Sequence, residues 1–243
     1  MSDTDAMELK RQLLSLIGEA RAEQEAFIAE LGPDERVEVG TPDNWSAKDL
    51  VAHVSAWWGR QGHRLAMVAR GEQPETFDWS DEENAETFAV NRERTWEAVV
   101  AEAAVNNATL MAAVAALDPA DLMDPSRVIA MKGTALWRLV LGNGYLHPRM
   151  HLAGHLVQRG QIERATKMHE QIAEMLPRLR PELRGMALYD LGCFYALTGR
   201  PTEALSRLDQ AFRITPTLVE YSRQDHDLDA LRSLPGFQEL YPQ

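Results

Sequence analysis

Apolar residues recur at three- and four-residue steps along almost the whole chain, a period that suits an α-helix and not a half-buried strand. Over residues 5–31 the series Leu9, Leu13, Ile17, Ala20, Ala26, Ile28 and Leu31 draws an apolar stripe, and Gly32-Pro33 ends it. Residues 37–44, with Gly40 and Pro42, read as a loop. A second helix is predicted from Ser46 to about Arg70. Ser46 is a good N-cap, Asp49 three residues on makes a capping-box variant, and Trp45 is placed to staple onto Leu50 or Val51. A third, alanine-rich helix is expected over residues 81–117 and a fourth from Thr134 towards Arg159. Gly142, Gly144 and Pro148 interrupt the last one, so a kink or break is expected at 143–148. The longest β-like alternation, Val37-Glu38-Val39, is too short to carry a sheet. Four long amphipathic segments joined by loops predict an all-α four-helix bundle.

Beyond residue 160 the helices shorten, to about 162–176, 182–198, 201–214 and 217–221, with a last piece near 228–240. Gly199-Arg200-Pro201 and Thr215-Pro216 punctuate them. Two domains are expected, residues 1–160 as the bundle and 161–243 as a helical-hairpin tail.

Composition narrows the function classes. The net charge of −12 over 243 residues disfavours broad contact with nucleic acid or an anionic membrane, both of which need a basic face. Arg178, Arg180 and Arg184 are the nearest thing to a basic patch. No apolar run approaches a membrane span of ~18 residues, and the first residues lack the basic and apolar regions of a signal peptide. The single cysteine, Cys193, excludes an intrachain disulfide and fits a reducing compartment. A cytoplasmic protein is the expectation.

The chemistry lies in the histidines. Of seven, His147, His151 and His155 stand at successive four-residue steps, and His53 sits mid-way along the second helix. Imidazoles one turn apart can share a metal, and a third from a neighbouring helix leaves a coordination position open for water or substrate. Zinc or nickel suits imidazole ligands best. The competing reading is packing: His53 as a satisfied core histidine, and His155 beside Leu152, Ala153 and Leu156 as part of a packed helix. His63, His169 and His226 have no matching neighbours and are expected to be solvated. Trp57 or Trp58 is a candidate wall for a pocket near His53, the remaining tryptophans, Trp79 and Trp137 among them, are expected as packing, and Cys193 is expected to pack as a small apolar group.

Two resemblances add to this. The stretch 188–216 resembles a tetratricopeptide repeat: Leu191-Gly192 and Tyr195 fit its first helix, Gly199 its turn, Ala204 and Ala211 its second helix, and Pro216 its exit. A weaker copy runs through His151-Leu152-Ala153, Gly160, Glu163-Arg164-Ala165 and Pro177, so the fourth bundle helix would double as a repeat helix. The segment from Asp227 to Phe237 is similar to the cap that closes such arrays. Residues 44–57, opening Asn44-Trp45-Ser46 and carrying Asp49, His53 and Trp57, resemble the second-helix signature of the DinB superfamily, in particular its ClbS/DfsB-type branch, which protects bacteria from their own DNA-alkylating metabolite. Asn143-Gly144-Tyr145-Leu146-His147-Pro148-Arg149-Met150-His151 resembles the last-helix segment of that branch. His151, His155 and Gln158 match the histidine pair and glutamine of the metal-binding branch.

The resemblance covers roughly residues 5–160. It implies a DinB-like bundle in which His53 joins either His147 and His151 or His151 and His155 around a metal, with Asn91 facing the cavity. It also implies chemistry on a small electrophilic ligand, by hydrolysis or thiol transfer, in detoxification or self-resistance. The alternative is a binding module, with the bundle as scaffold and the tail presenting a groove to a peptide or protein partner. A homodimer through bundle helices is compatible with either.

Overall fold

The structure is a computed structural model that describes residues 3–42, 44–77 and 80–241, with only the backbone at Asp81. Trp79 lies outside the described residues. Among them there is no strand, only an isolated bridge between Thr41 and Asn44. The protein is all-α. The chain divides into two compact units, Met1–Gln158 and Arg159–Gln243.

In the first unit, α1 (Asp3–Glu30) buries Leu9, Leu13, Leu16, Ile17 and Ala20, then Gln24 and Phe27, with Leu31 buried just after its end. The stripe predicted through Ala26 and Ile28 therefore runs through Gln24 and Phe27 instead, because steps of four and three residues from Ala20 keep to one face. Gln24 tolerates burial by accepting a hydrogen bond from Arg21 Nη1 at 2.5 Å. A short α2 (Pro33–Val37) follows with Pro33 at its first position, where the missing N–H costs nothing.

α3 (Ala47–Ala69) starts at the predicted cap. Ser46 Oγ accepts from Asp49 N at 3.2 Å, and Asp49 Oδ2 accepts from Ser46 N at 2.9 Å and Ser46 Oγ at 2.6 Å. The single helix expected over 81–117 is two: α4 (Asp81–Arg92) and α5 (Trp96–Ala116). Thr95 opens the second by accepting from Ala98 N at 3.2 Å, and a hydroxyl spent on that donor favours a fresh start over continuation. α6 (Pro119–Met123) occupies part of the loop that follows.

The expected kink is a single π-helical turn, Gly142–Leu146, joining α7 (Leu136–Leu141) to α8 (His147–Gln158) without a break. Gly144 is there for contact and not for looseness, since a Cβ on it would lie 2.7 Å from Ile17 Cγ1 of α1.

The core of the bundle is the crossing of α3 and α5, the most extensive helix contact in this unit. Gly62 makes it close, since a Cβ there would lie 2.8 Å from Leu110 N. Trp58, Leu65, Val99, Ala103 and Val114 are fully buried around the crossing, each large side chain adding roughly 1.5–3 kcal/mol of burial. α1 and the composite α7–α8 rod close the bundle. Arg149 of α8, 4% exposed on its side chain, pairs with Glu23 of α1 at 2.7 Å and bonds the Tyr145 hydroxyl, so its buried charge is compensated.

α5 is 21 residues long and holds an 18-residue window of mean hydropathy 1.4, long and apolar enough by length and composition alone to cross a membrane. Alanines raise that figure. The helix buries one stripe, from Val99 through Ala103 and Leu110 to Val114, against α3.

In the second unit, α9 (Ile162–Leu179), α10 (Arg184–Leu197) and α11 (Pro201–Ile214) pack in succession with α10 in the middle. Gly199, at φ +73°, makes the turn between α10 and α11 in the left-handed region that glycine adopts freely. At Gly192 a Cβ would lie 3.0 Å from Leu208 Cγ, which keeps these two helices close. α12 (Leu218–Ser222), a 3₁₀ segment at His226–Leu231 and α13 (Pro235–Gln238) complete the unit, burying Leu218, Leu228, Leu231 and Phe237.

Candidate metal centre

The capping box sets where α3 begins and therefore which residues turn inward. His53 falls on its buried face, 6% exposed. The π turn sets the corresponding register on the other side: it puts His147 at the first position of α8 and His151 one turn on, both towards α3. An extra residue inserted into a helix rotates everything after it, and such turns recur at functional sites.

The three Nε2 atoms converge. His53 Nε2 lies 3.1 Å from His147 Nε2, and His151 Nε2 lies 3.0 Å from it. His53, His147 and His151 thus form one group whose ligand atoms all lie within 4.8 Å of one another. Burial, with the neighbouring imidazoles, depresses protonation: His53 falls to about 3 and His147 to about 2, and burial lowers His151 as well. All three are neutral near pH 7, which is the ligand form of imidazole. Tetrahedral bonds of ~2.0–2.1 Å set nitrogens about 3.3 Å apart, a few tenths of an ångström from the two separations at His147 Nε2. The donor set fits zinc or nickel.

His155 is not brought into this group. Eight residues along a helix from His147 amount to about 12 Å of rise and 80° of rotation, which carries it off the face. It is 4% exposed and meets Phe27 edge-on at 5.5 Å. His147 Nδ1 is buried without a hydrogen-bond partner, so it lacks the outer-shell acceptor that usually orients a ligating imidazole.

Two indoles enclose the cluster. Trp57, on α3, lies 4.6 Å from the His147 ring and 6.1 Å from His53. Trp45, just before the Ser46 cap, lies 4.5 Å from His53 and stacks on His151 at 5.4 Å and 19°. The sequence suggested a staple for Trp45 and missed this role, for which its place in the second-helix signature was the only signal. Trp58 is wholly buried core.

Trp45 is also the shared wall of two spaces. One is a cleft of about 220 Å³ between the loop and α8, lined by Trp45, Leu50, Met150, His151, Gly154, His155 and Gln158 among others. The other is a slot of about 10 Å³ beside His53, lined by Asn84, Thr87, Phe88 and Asn91 of α4. Asn91 thus reaches the cavity side, with Nδ2 donating to Thr87 O at 2.8 Å and Oδ1 accepting from Arg94 at 2.9 Å. Asn84 Oδ1 is buried with no hydrogen-bond partner.

The other histidines are dispersed. His63 and His226 are exposed, as expected. His169 is half-buried and stacks on Phe194 at 4.0 Å, so it is not simply solvated. The second unit also holds an acid cluster that sequence reasoning missed. Asp225 Oδ2 accepts from the Tyr189 hydroxyl at 2.7 Å and from Cys193 Sγ at 3.7 Å, and Asp227 lies close by. Burial, with Asp225 and Asp227, pushes the Asp190 carboxyl up to about 7, and burial also raises the Cys193 thiol.

A helical bundle carrying three converged imidazoles from two of its rods defines the class. The sequence profile of the DinB superfamily matches residues 16–158, more than half of the chain, and the protein belongs to that superfamily. No curated protein and no solved structure matches the chain.

Proposed function

We propose that His53, His147 and His151 hold a divalent cation, zinc or nickel, and that the site acts on a small electrophilic molecule by hydrolysis or thiol transfer, in detoxification or self-resistance. The observation that carries this is the meeting of three neutral imidazoles, with His53 Nε2 and His151 Nε2 at 3.1 and 3.0 Å from His147 Nε2, inside a wall of two indoles. Bound there, the cation would lower the pKa of a water or thiol and so supply a nucleophile near neutral pH. The chain's own part is positioning. Trp45 and Trp57 limit the access of bulk water, and the slot beside His53 has room for about one water molecule. Asn84 Oδ1, which lacks a donor, would accept its hydrogen bond.

Metal analysis of untagged protein tests the reading. Near-stoichiometric zinc or nickel is expected, lost in His53→Ala and in His147→Ala, while His155→Ala retains it. A folded wild type that stays metal-free after incubation with either ion would defeat the proposal.

A second reading concerns residues 161–243, a tetratricopeptide-like array presenting a groove to a peptide. The tight α10–α11 hairpin at Gly192 and Gly199 supports it. Capture of a peptide by the full chain, lost when exposed residues of that unit are changed, is the expected result. The lone, buried Cys193 supports a reducing, cytoplasmic setting.

A further inference from the structure

The cleft beside His151 has the size and composition of a ligand seat. Its volume of about 220 Å³ falls below the ~300–1,000 Å³ of drug-sized sites, which leaves room for a molecule of roughly ten non-hydrogen atoms. The walls are apolar where they are broad: the Trp45 indole, Leu50 and Met150. Polar groups come from His151, His155 and Gln158. No Asp, Glu, Lys or Arg lines it. A charged ligand would lose hydration there without meeting a counter-ion, a cost that a neutral one avoids.

Gly154 sharpens the point. It lies inside α8, where glycine costs a helix about 0.5–1 kcal/mol relative to alanine. At Gly62 and Gly144 that cost is offset by close helix contact, whereas a Cβ on Gly154 would meet nothing within 4 Å. The missing side chain keeps space open in the cleft, and no packing requires its absence.

We infer that this cleft seats the flat, neutral, apolar body of a small ligand against Trp45, with Gly154 leaving the room and Gln158 offering an amide for a polar end. The inference rests on the metal-site reading in one respect, that His151 belongs to both cleft and cluster.

The test uses three probes of one shape in separate titrations of the full chain: benzamide (neutral), benzoate (anionic) and benzamidine (cationic). Binding is followed by ¹⁵N shifts of the backbone amide at position 154 and of the Trp45 indole N–H, and nickel affinity is measured independently. Benzamide is expected to shift both signals and to bind about tenfold tighter than either charged probe. Gly154→Leu should weaken it at least about tenfold with nickel affinity within about twofold of wild type. Met150→Trp, at a residue 48% exposed and so of little risk to folding, should do the same. Benzamide binding that neither variant weakens, or charged probes that bind equally well, would overturn the inference. Loss of nickel binding with benzamide binding intact would defeat the metal reading and leave the cleft standing.

Discussion

Asp190 shows what one half-buried carboxyl does in this chain. Asp225 and Asp227 lie near it, the Tyr189 hydroxyl and the Cys193 thiol are already spent on Asp225, and burial adds its own penalty, so its proton is held to about pH 7. In the unfolded chain it would leave near pH 4. The folded state therefore binds the extra proton: the stabilisation is complete below about pH 4 and is lost as pH rises through 7. Asp190→Asn, neutral at every pH, should raise the melting temperature at pH 8, a stabilisation of about 1–2 kcal/mol after discounting for partial exposure. At pH 5 the gain should be much smaller. Thermal melts of both proteins at both pH values decide this, and an equal gain at the two would rule out the titration. The sequence shows Asp190 only as one acid among 37 Asp and Glu residues, because what raises it comes from Asp225 and Asp227, far along the chain.

At the scale of elements, Gly62 of α3 and Gly154 of α8 make opposite predictions. Gly62→Val places atoms against the Leu110 backbone, which has no side-chain rotamer to yield, and should cost about 2–3 kcal/mol or prevent folding. Gly154→Ala meets open space and should stabilise α8 by about 0.5–1 kcal/mol. Urea denaturation of each variant gives the sign directly. The cap of α3 belongs here too. Ser46→Ala removes an acceptor from Asp49 N and leaves Asp49 Oδ2 short of one donor, a loss of about 1–2 kcal/mol. It also loosens the residue that holds Trp45 over the histidines, which circular dichroism melts with nickel titration would show as weaker ligation alongside a lower midpoint. That cap was legible in the sequence because its hydrogen bonds span three residues. The start of α5 was not: alanine continues a helix readily, and the preference of Thr95 for its new role is small until α4 and α5 each find their own place against α3.

For the whole molecule the net charge of −12 matters more than any single pair. Like charge repels the folded chain against itself, and salt shortens the reach of that repulsion to about 10 Å at 0.1 M. At pH 8, raising sodium chloride from about 0.02 to 0.5 M should lift the melting temperature by a few degrees. The lift should shrink near pH 5.1, where the formal charge vanishes. Unchanged melting across that salt range at pH 8 would show that the charges are already locally compensated.

What the amino-acid order determined by itself is what short-range physics decides: the helical period, the ends at Gly32-Pro33 and Ser46, the glycine turn at Gly199, and the histidines at four-residue steps. Which of those histidines converge was beyond it. Spacing allowed His151 to pair with either neighbour, and only the π turn at Gly142–Leu146, held against α1 through Gly144 and Ile17, sets the rotation that faces His147 and His151 towards His53. The indole of Trp45 over the cluster is likewise a tertiary outcome, since it stacks on a ring more than a hundred residues away in the chain. A rotation of one residue's worth is a local backbone change. Its energy is settled by contacts between rods, and those exist only once the bundle has closed.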